Sequence, residues 1–316
     1  MNIGIDMMGG DFAPLEAVKG LKLYLSTSTP AASLYLIGDE TLVNPLLEEY
    51  QVSSPNLHLV HAPEVIGYHE HPTKALKEKP NSSIAIGFKL LASGEIDAFL
   101  SAGNTGAMLV GAMFSIKPII GVLRPTIATL LPKLDGQTGI LVDVGLNADC
   151  KPENLQQFAV LGSLFAEHIL NINNPKVGLV NLGEEEGKGN ILAQATYPLL
   201  KENTHIEFIG NVEGRDVFND KADVIVCDGF TGNVILKTAE AMYDAAAHQG
   251  LGNDAFFGRF HFENYGGTPV LGVNKPVIIG HGISNAKAFS NMIALAEKMI
   301  DTKFCEIITS NFADIQ

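Results

Sequence analysis

Cysteine is scarce in this 316-residue chain, where Cys150, Cys227 and Cys305 lie far apart and form no CxxC pair. Such spacing offers neither a disulfide framework nor a zinc cage, so reduced thiols are the default. Basic residues are in deficit too, 21 Lys and Arg against 35 Asp and Glu, for a formal charge of −14. Non-specific nucleic-acid binding needs surface cations to displace the counterions of the phosphate backbone, so this balance predicts no nucleic-acid partner. No apolar run approaches the ~20 residues of a membrane span. Residues Met1-Asn-Ile-Gly-Ile-Asp6 alternate like a strand and lack the basic and apolar blocks of a signal peptide. A cytoplasmic protein is expected. GxGxxG and GxxxxGK[ST] are also missing, which lowers nicotinamide chemistry and nucleotide triphosphate hydrolysis in rank.

What is present is apolar periodicity, with 46% apolar residues to fill a core. Short apolar runs such as Asn2–Asp6, Asp97–Leu100, Lys176–Asn181 and Asp223–Cys227 alternate with helical patterns such as Pro14–Ser26, Pro152–Leu170, Lys188–Leu200, Gly232–Ala247 and Asn285–Ile300. That alternation predicts an α/β protein: a mostly parallel, Rossmann-like sheet in a three-layer αβα arrangement. A short loop through Asp135-Gly136 predicts one antiparallel hairpin, Thr126–Leu131 with Gly139–Val142. No linker or internal repeat divides the chain, so one domain over residues 1–316 is expected. The least typical segment, at about 249–267, carries Phe256, Phe257, Phe260, Phe262 and Tyr265. Such a segment reads as packing, a dimer contact or a lid.

Four apolar runs end in a turn of Gly, Asn, Ser and Thr that leads into a helix: Ser101–Gly106, Gly145–Asp149, Gly183–Asn190 and Asp228–Asn233. Glycine lets a ligand approach the backbone, and helix N-termini present N–H groups that favour anions. Together the turns suggest an anion-binding crevice. Only the third carries a lysine, Lys188, between Gly187 and Gly189 just as the next helix is expected to begin. An ammonium there adds a full charge to the helix-end partial charge. The plainer reading has Glu184, Glu185 and Glu186 capping the helix while Lys188 faces water. Cys150, beside Lys151 at a helix start, is a candidate nucleophile, though a packing cysteine is the plainer reading. His281 directly follows a strand and precedes a helix. His69 and His71 have no partners to complete a metal set, so no metal is expected. Lys74, Lys77 and Lys79, and the scattered Lys117, Arg124 and Lys133, read as solvated helix faces or basic patches.

The ordered motifs Asp6-Met-Met-Gly-Gly-Asp11, Asn81-Ser-Ser83, Ser101–Gly106, Arg124-Pro125, Asp143-Val-Gly145 with Asp149-Cys-Lys-Pro152, Gly183–Asn190, Ile209–Asp216, Asp228–Asn233 and Tyr265-Gly-Gly267 span nearly the whole chain. In these the chain resembles the bacterial phosphate acyltransferases of the PlsX type. The resemblance implies transfer of a fatty acyl group from acyl carrier protein to inorganic phosphate, with no cofactor, giving acyl phosphate for phospholipid synthesis. It also implies a homodimer, a membrane acyltransferase that accepts the acyl phosphate, and a fold akin to phosphotransacetylases and isopropylmalate dehydrogenases. Phe12 stands where many members carry His. The stretch Ala241–Asn264 is shorter than the hairpin that the family uses at its dimer and membrane surface, which weakens the expectation of peripheral membrane contact.

Phosphate is a ready nucleophile and a thioester an activated donor, so alignment and oxyanion stabilisation suffice, and no covalent serine or cysteine is required. The expected catalytic residues are Lys188, His281 and Asn233. Phosphate is expected on Gly187, Gly189 and Asn190, helped by Asn104, Thr105 and Thr231. A coenzyme A-dependent phosphotransacylase and a non-catalytic anion or acyl-phosphate binder are the alternatives.

Overall fold

The structure is a computed structural model that describes residues 1–27, 32–252 and 254–313, without the Phe262 side chain. Residue 253 and that side chain, both within the aromatic segment, therefore lie outside the described residues. Residue contacts define two compact units, Met1–Ile119 with Phe262–Cys305, and Ile120–His261 with Glu306–Gln316.

The first unit opens with β1 (Asn2–Asp6), α1 (Leu15–Thr27), β2 (Ser33–Gly38), α2 (Glu40–Glu49), β3 (Leu57–His61), α3 (Pro72–Glu78), α4 (Ser83–Ser93), β4 (Ala98–Ser101) and α5 (Thr105–Gly111). The second contains β5 (Thr126–Pro132), β6 (Thr138–Val142), α6 (Pro152–His168), β7 (Lys176–Val180), α7 (Ile191–Lys201), β8 (Glu207–Val212), β9 (Val224–Val226) and α8 (Gly229–His248). The chain then returns to the first unit as β10 (Gly267–Leu271), β11 (Val277–Gly280) and α9 (Ala286–Asp301), and α10 (Phe304–Ala313) follows.

Strand order in the first unit is β3-β2-β1-β4-β11-β10, parallel except for the β10/β11 pair. In the second it is β5-β6-β9-β7-β8, parallel except for β5/β6. The central strands are apolar on both faces: every residue of β4, β9 and β11 is buried. Such strands need helices above and below, the condition that favours a parallel sheet. Helix α9 buries Ala288, Phe289, Met292, Ile293, Ala296 and Met299, one stripe at helical spacing. It lies so close to α1 that a Cβ on Gly20 would come within 2.7 Å of the Ala286 carbonyl. Fully buried Phe158 and Phe165 anchor α6, each stabilising by about 1.5–3 kcal/mol relative to exposure.

The expected α/β class and the β5/β6 hairpin are present. The short helices α2, α3 and α10 and the strand β10 are additions: α2 contains Pro45 and β10 contains Pro269, residues that hide a periodic pattern. Two helix starts need correction. Helix α8 begins at Gly229 rather than Gly232. Helix α7 starts at Ile191, so Lys188 lies in the preceding loop rather than in the helix. The Asn190 side chain accepts from Ala193 N and sets that start, while Gly189 at φ +94° breaks the helical path upstream.

Candidate active site

The fold sorts the four turns. Three of them leave the carboxyl ends of adjacent parallel strands in the second unit, β6, β9 and β7, where Val142 pairs with Val226 and Leu179 with Val226. The fourth follows β4 in the first unit, between β1 and β11. There the chain runs outward from β1 to β3 and returns to β4 on the other side, which makes the β1/β4 junction a topological switch point. Ligands of open α/β sheets favour such points at the carboxyl ends of the strands.

In the second unit, the turn after β6 is already filled by an anion of the protein itself. Buried Asp143 accepts from the N–H groups of Gly145 (3.2 Å), Leu146 (3.2 Å) and Asn147 (2.7 Å) and from Asn147 Nδ2 (2.8 Å). Asn147 also donates to the Pro125 carbonyl. This turn is structural. Asp228 caps α8 by accepting from Thr231 N (2.9 Å) and Thr231 Oγ1 (2.8 Å), and Asn233 Nδ2 donates to the Val144 carbonyl (3.2 Å). Asn233 therefore braces α8 against the β6 turn, while Thr231 closes the helix's own N-cap. Gly232 makes that approach possible, since a Cβ there would overlap the Asp143 carbonyl.

The turn after β7 is built differently. Its carbonyls are held by side-chain amides: Asn181 Nδ2 donates to Lys188 O (3.0 Å), Asn211 Nδ2 to Glu185 O (2.9 Å) and Gln194 Nε2 to Gly189 O (2.9 Å). Glu184 pairs with Lys221 at 2.7 Å and Glu186 with Lys201 at 2.9 Å, so these carboxylates face lysines and the cap belongs to Asn190. The Lys188 stem lies over Gly183, whose added Cβ would come within 3.2 Å of Lys188 Cγ. Lys188 is exposed, and among the described residues its ammonium has no ion-pair partner. Gly187, Gly189 and Asn190 adjoin it in the same loop.

In the first unit, buried Asp6 at the end of β1 accepts from Ser101 Oγ (2.6 Å) and Met8 N (2.9 Å), and Ser101 Oγ in turn accepts from Gly103 N (2.9 Å). Burial raises the Asp6 carboxyl above its ordinary range, against the lowering effect of Ser101, Ser83 and nearby N–H groups. Gly9 lies where a Cβ would come within 2.6 Å of both Asp6 Oδ2 and Gly103 N. Asn104 is buried, caps α5 by accepting from Ala107 N (2.9 Å) and donates to Gly67 O (2.9 Å); Thr105 beside it is exposed. His281 is exposed after β11, and Ser284 N donates to its carbonyl. Tyr68, which no sequence pattern marked, donates to Ala102 O at 3.0 Å beside Gly282. Burial, then the Asp11 and Asp6 carboxylates, push its phenol up to about 12, which keeps it a proton donor. Asn104, Thr105 and His281 thus share the strand-end edge of the first unit, while Lys188, Asn190, Thr231 and Asn233 share that of the second.

The chain matches the model of a family described as fatty acid synthesis protein over residues 1–249 and 253–307. A phosphate acyltransferase of Dictyoglomus turgidum is 45% identical over 318 residues, covering 95% of this chain and 94% of its own length. One from Aquifex aeolicus is 44% identical over 330 residues, covering 98% and 96%. The chain belongs to the phosphate acyltransferase family. Membership supports an acyltransferase acting on phosphate within fatty acid and lipid synthesis. Among solved structures, a phosphotransacetylase from Streptococcus pyogenes is similar with a TM-score of 0.69 at 17% identity, covering 95% of this chain and 94% of that one. A branched-chain phosphotransacylase from Enterococcus faecalis gives 0.64 at 13%, covering 95% and 99%. At these identities the likeness is one of fold.

Set beside this family chemistry, Cys150 and Cys227 are held as protonated thiols. Cys150 is half-buried, its Sγ donates to Asn147 O (3.4 Å), and burial followed by Asp143 and Asp228 pushes it up to about 11. Cys227 is buried against the Asp143 carbonyl and pushed up well above the ordinary thiol range by burial. Of the basic groups read as solvated faces, Lys74, Lys77, Lys117 and Arg124 are exposed as expected, and Lys133 departs from that reading. Lys133 is buried at 2.5 Å from Asp223 at the end of β5, and Arg124 donates to Asp149 O. In the other cluster Lys79 pairs with Glu70 at 2.7 Å and Lys74 with Glu78 at 3.8 Å, which leaves Lys77 as its exposed cation without an ion pair among the described residues. No helix among the described residues is long and apolar enough to cross a membrane.

Proposed function

We propose that this phosphate acyltransferase moves a fatty acyl group from acyl carrier protein to inorganic phosphate, and that the acyl phosphate feeds phosphatidic acid synthesis through a membrane acyltransferase. The observation that carries the reading is the β7–α7 loop, an unpaired lysine between two glycines at a strand end. Lys188, with the N–H groups of Gly187, Gly189 and Asn190, holds the phosphate dianion. A phosphate oxygen attacks the thioester carbonyl carbon, the C–S bond breaks, and the thiolate of the carrier takes up a proton. His281 is the residue proposed to deliver that proton or to orient the nucleophile. Thr231 and Asn233 keep the neighbouring α8 turn in place, and Asn104 and Thr105 shape the strand-end edge of the first unit.

The partner proposals follow from surface chemistry. Helix α8 exposes Phe230, Val234 and Met242, 68%, 51% and 40% accessible, an apolar row that supports a homodimer with a second copy covering it. A chain of net charge −14 meets an acidic carrier protein through local cations such as Lys77, at work in the cytoplasm or at the membrane periphery. The test is release of free thiol from palmitoyl acyl carrier protein with and without inorganic phosphate, with palmitoyl coenzyme A as the second donor. Phosphate-dependent release from the carrier supports the reading. Faster turnover of the coenzyme A ester supports a coenzyme A-dependent phosphotransacylase instead, and no thiol release from either donor supports a non-catalytic binder.

A further inference from the structure

The loop that carries Lys188 is tied down in an unusual sense: the contacts from Asn181, Asn211 and Gln194 all reach carbonyl oxygens. Asn181 holds Lys188 O, Gln194 holds Gly189 O, and Asn211 holds Glu185 O at 2.9 Å and Glu184 O at 3.4 Å. In a trans peptide the C=O and the following N–H point in opposite directions within one plane. Drawing the Lys188 carbonyl toward Asn181 therefore turns Gly189 N–H away from it, and drawing the Gly189 carbonyl toward Gln194 turns Asn190 N–H away. Among the described residues these two N–H groups have no hydrogen-bond acceptor.

The arrangement depends on residue type. A Cβ on Gly189 would overlap Asn181 Oδ1, so the Asn181 contact requires glycine at that position, and its φ of +94° requires the same. The Asn181 side chain is itself oriented, because Leu182 N donates to its Oδ1 at 2.8 Å. Two of the three loop carboxylates face lysines, Glu184 on Lys221 and Glu186 on Lys201, which reduces their repulsion of an incoming anion. Glu185 remains, its Oε2 close to Gly183.

We propose that Asn181 and Gln194 are positioning residues for phosphate: by holding the Lys188 and Gly189 carbonyls they aim the N–H groups of Gly189 and Asn190 at the anion bound by Lys188, while Asn211 fixes the start of the loop through the Glu184 and Glu185 carbonyls. This inference rests on the reading of that loop as the phosphate site. Oriented N–H donors to a charged acceptor are the strong kind of hydrogen bond, and misaiming them costs affinity for phosphate alone.

Gln194 is exposed on α7, so Gln194→Met removes the amide donor without disturbing the core; Asn181→Ala removes a second donor. Initial rates at saturating palmitoyl acyl carrier protein, with inorganic phosphate varied, give the readout, along with the phosphate-dependent rise in thermal midpoint of the full chain. Each variant is expected to raise the phosphate KM by about fivefold, with kcat and the donor KM within about twofold of the parent, because one charged hydrogen bond is weakened rather than lost. The phosphate-induced rise in midpoint falls in parallel. An unchanged phosphate KM in Gln194→Met overturns the inference even if Asn181→Ala does not fold. An equal rise in both substrate KM values also overturns it. Lys188→Ala separates the two levels. If Lys188→Ala leaves phosphate kinetics unchanged, the phosphate-site reading fails; if it alone disturbs them, only the positioning inference fails.

Discussion

At the residue scale, chemistry in this protein falls to groups that need no activation. A thiol held near 11 is about 0.1% ionised at pH 8, too little for a resting nucleophile. Cys150→Ser should therefore keep activity within about twofold, and labelled acyl chain should not be trapped on Cys150. A loss beyond ~100-fold, or a labelled Cys150 peptide in the parent enzyme, would establish a covalent route in place of direct attack by phosphate. Lys188 contrasts with its neighbours: Lys201 and Lys221 are spent on Glu186, Glu184 and Asp216. An unpaired cation beside two glycines has its charge available for substrate.

At the element scale, the strand-to-helix turns differ in what already fills them. Asp143 occupies the turn after β6, Asp228 and Thr231 close the start of α8, and the β7–α7 loop has its carbonyls held by three side-chain amides, those of Asn181, Asn211 and Gln194. Glycine content could not separate these cases, because the deciding partners include residues distant in sequence: Asn211 from β8 for the β7–α7 loop, and Asn233 from α8 for the turn after β6. The buried strands β4, β9 and β11 were legible, since they are apolar on both faces, whereas β10 with its Pro269 was not. The start of α7 was not, since Lys188 suits a helix by propensity and only the cap at Asn190 and the positive φ of Gly189 delay it. Tyr68 was invisible for the same reason as Asn211: a lone tyrosine in a loop has no pattern, and its contact with Ala102 is tertiary. Lys221 braces the β7–α7 loop through Glu184 and Asp216. Burial pushes Asp216 up, but Glu213 N–H, Lys221 and Asn219 outweigh it and hold the carboxyl below the usual range. A depressed carboxylate contributes stability above its unfolded value of 3.8 that is lost as pH falls through the lower folded value. Lys221→Met should accordingly shift the acid unfolding midpoint, followed by circular dichroism, to higher pH. An identical acid transition in parent and variant would mean that the brace adds no stability.

At the scale of the whole molecule, charge sets the terms of association. With 35 acidic against 21 basic residues, docking of an acidic carrier protein must be local and screened. The KM for palmitoyl acyl carrier protein should rise several-fold between about 50 and 300 mM salt, as the screening length shortens from above to below ~10 Å. Lys77→Glu should raise it at low salt with kcat unchanged. A salt-independent KM would show that docking is not electrostatic. The account as a whole rests on one claim, that phosphate binds the β7–α7 loop and attacks the acyl thioester there. Phosphate saturation of thiol release from palmitoyl acyl carrier protein, measured for the parent and for Lys188→Ala, tests it most directly. The account predicts strictly phosphate-dependent release in the parent and a loss of at least ~100-fold in kcat/KM for phosphate in the variant, the scale of one lost transition-state donor. Thiol release that ignores phosphate, or near-normal turnover of Lys188→Ala at saturating phosphate, would contradict it.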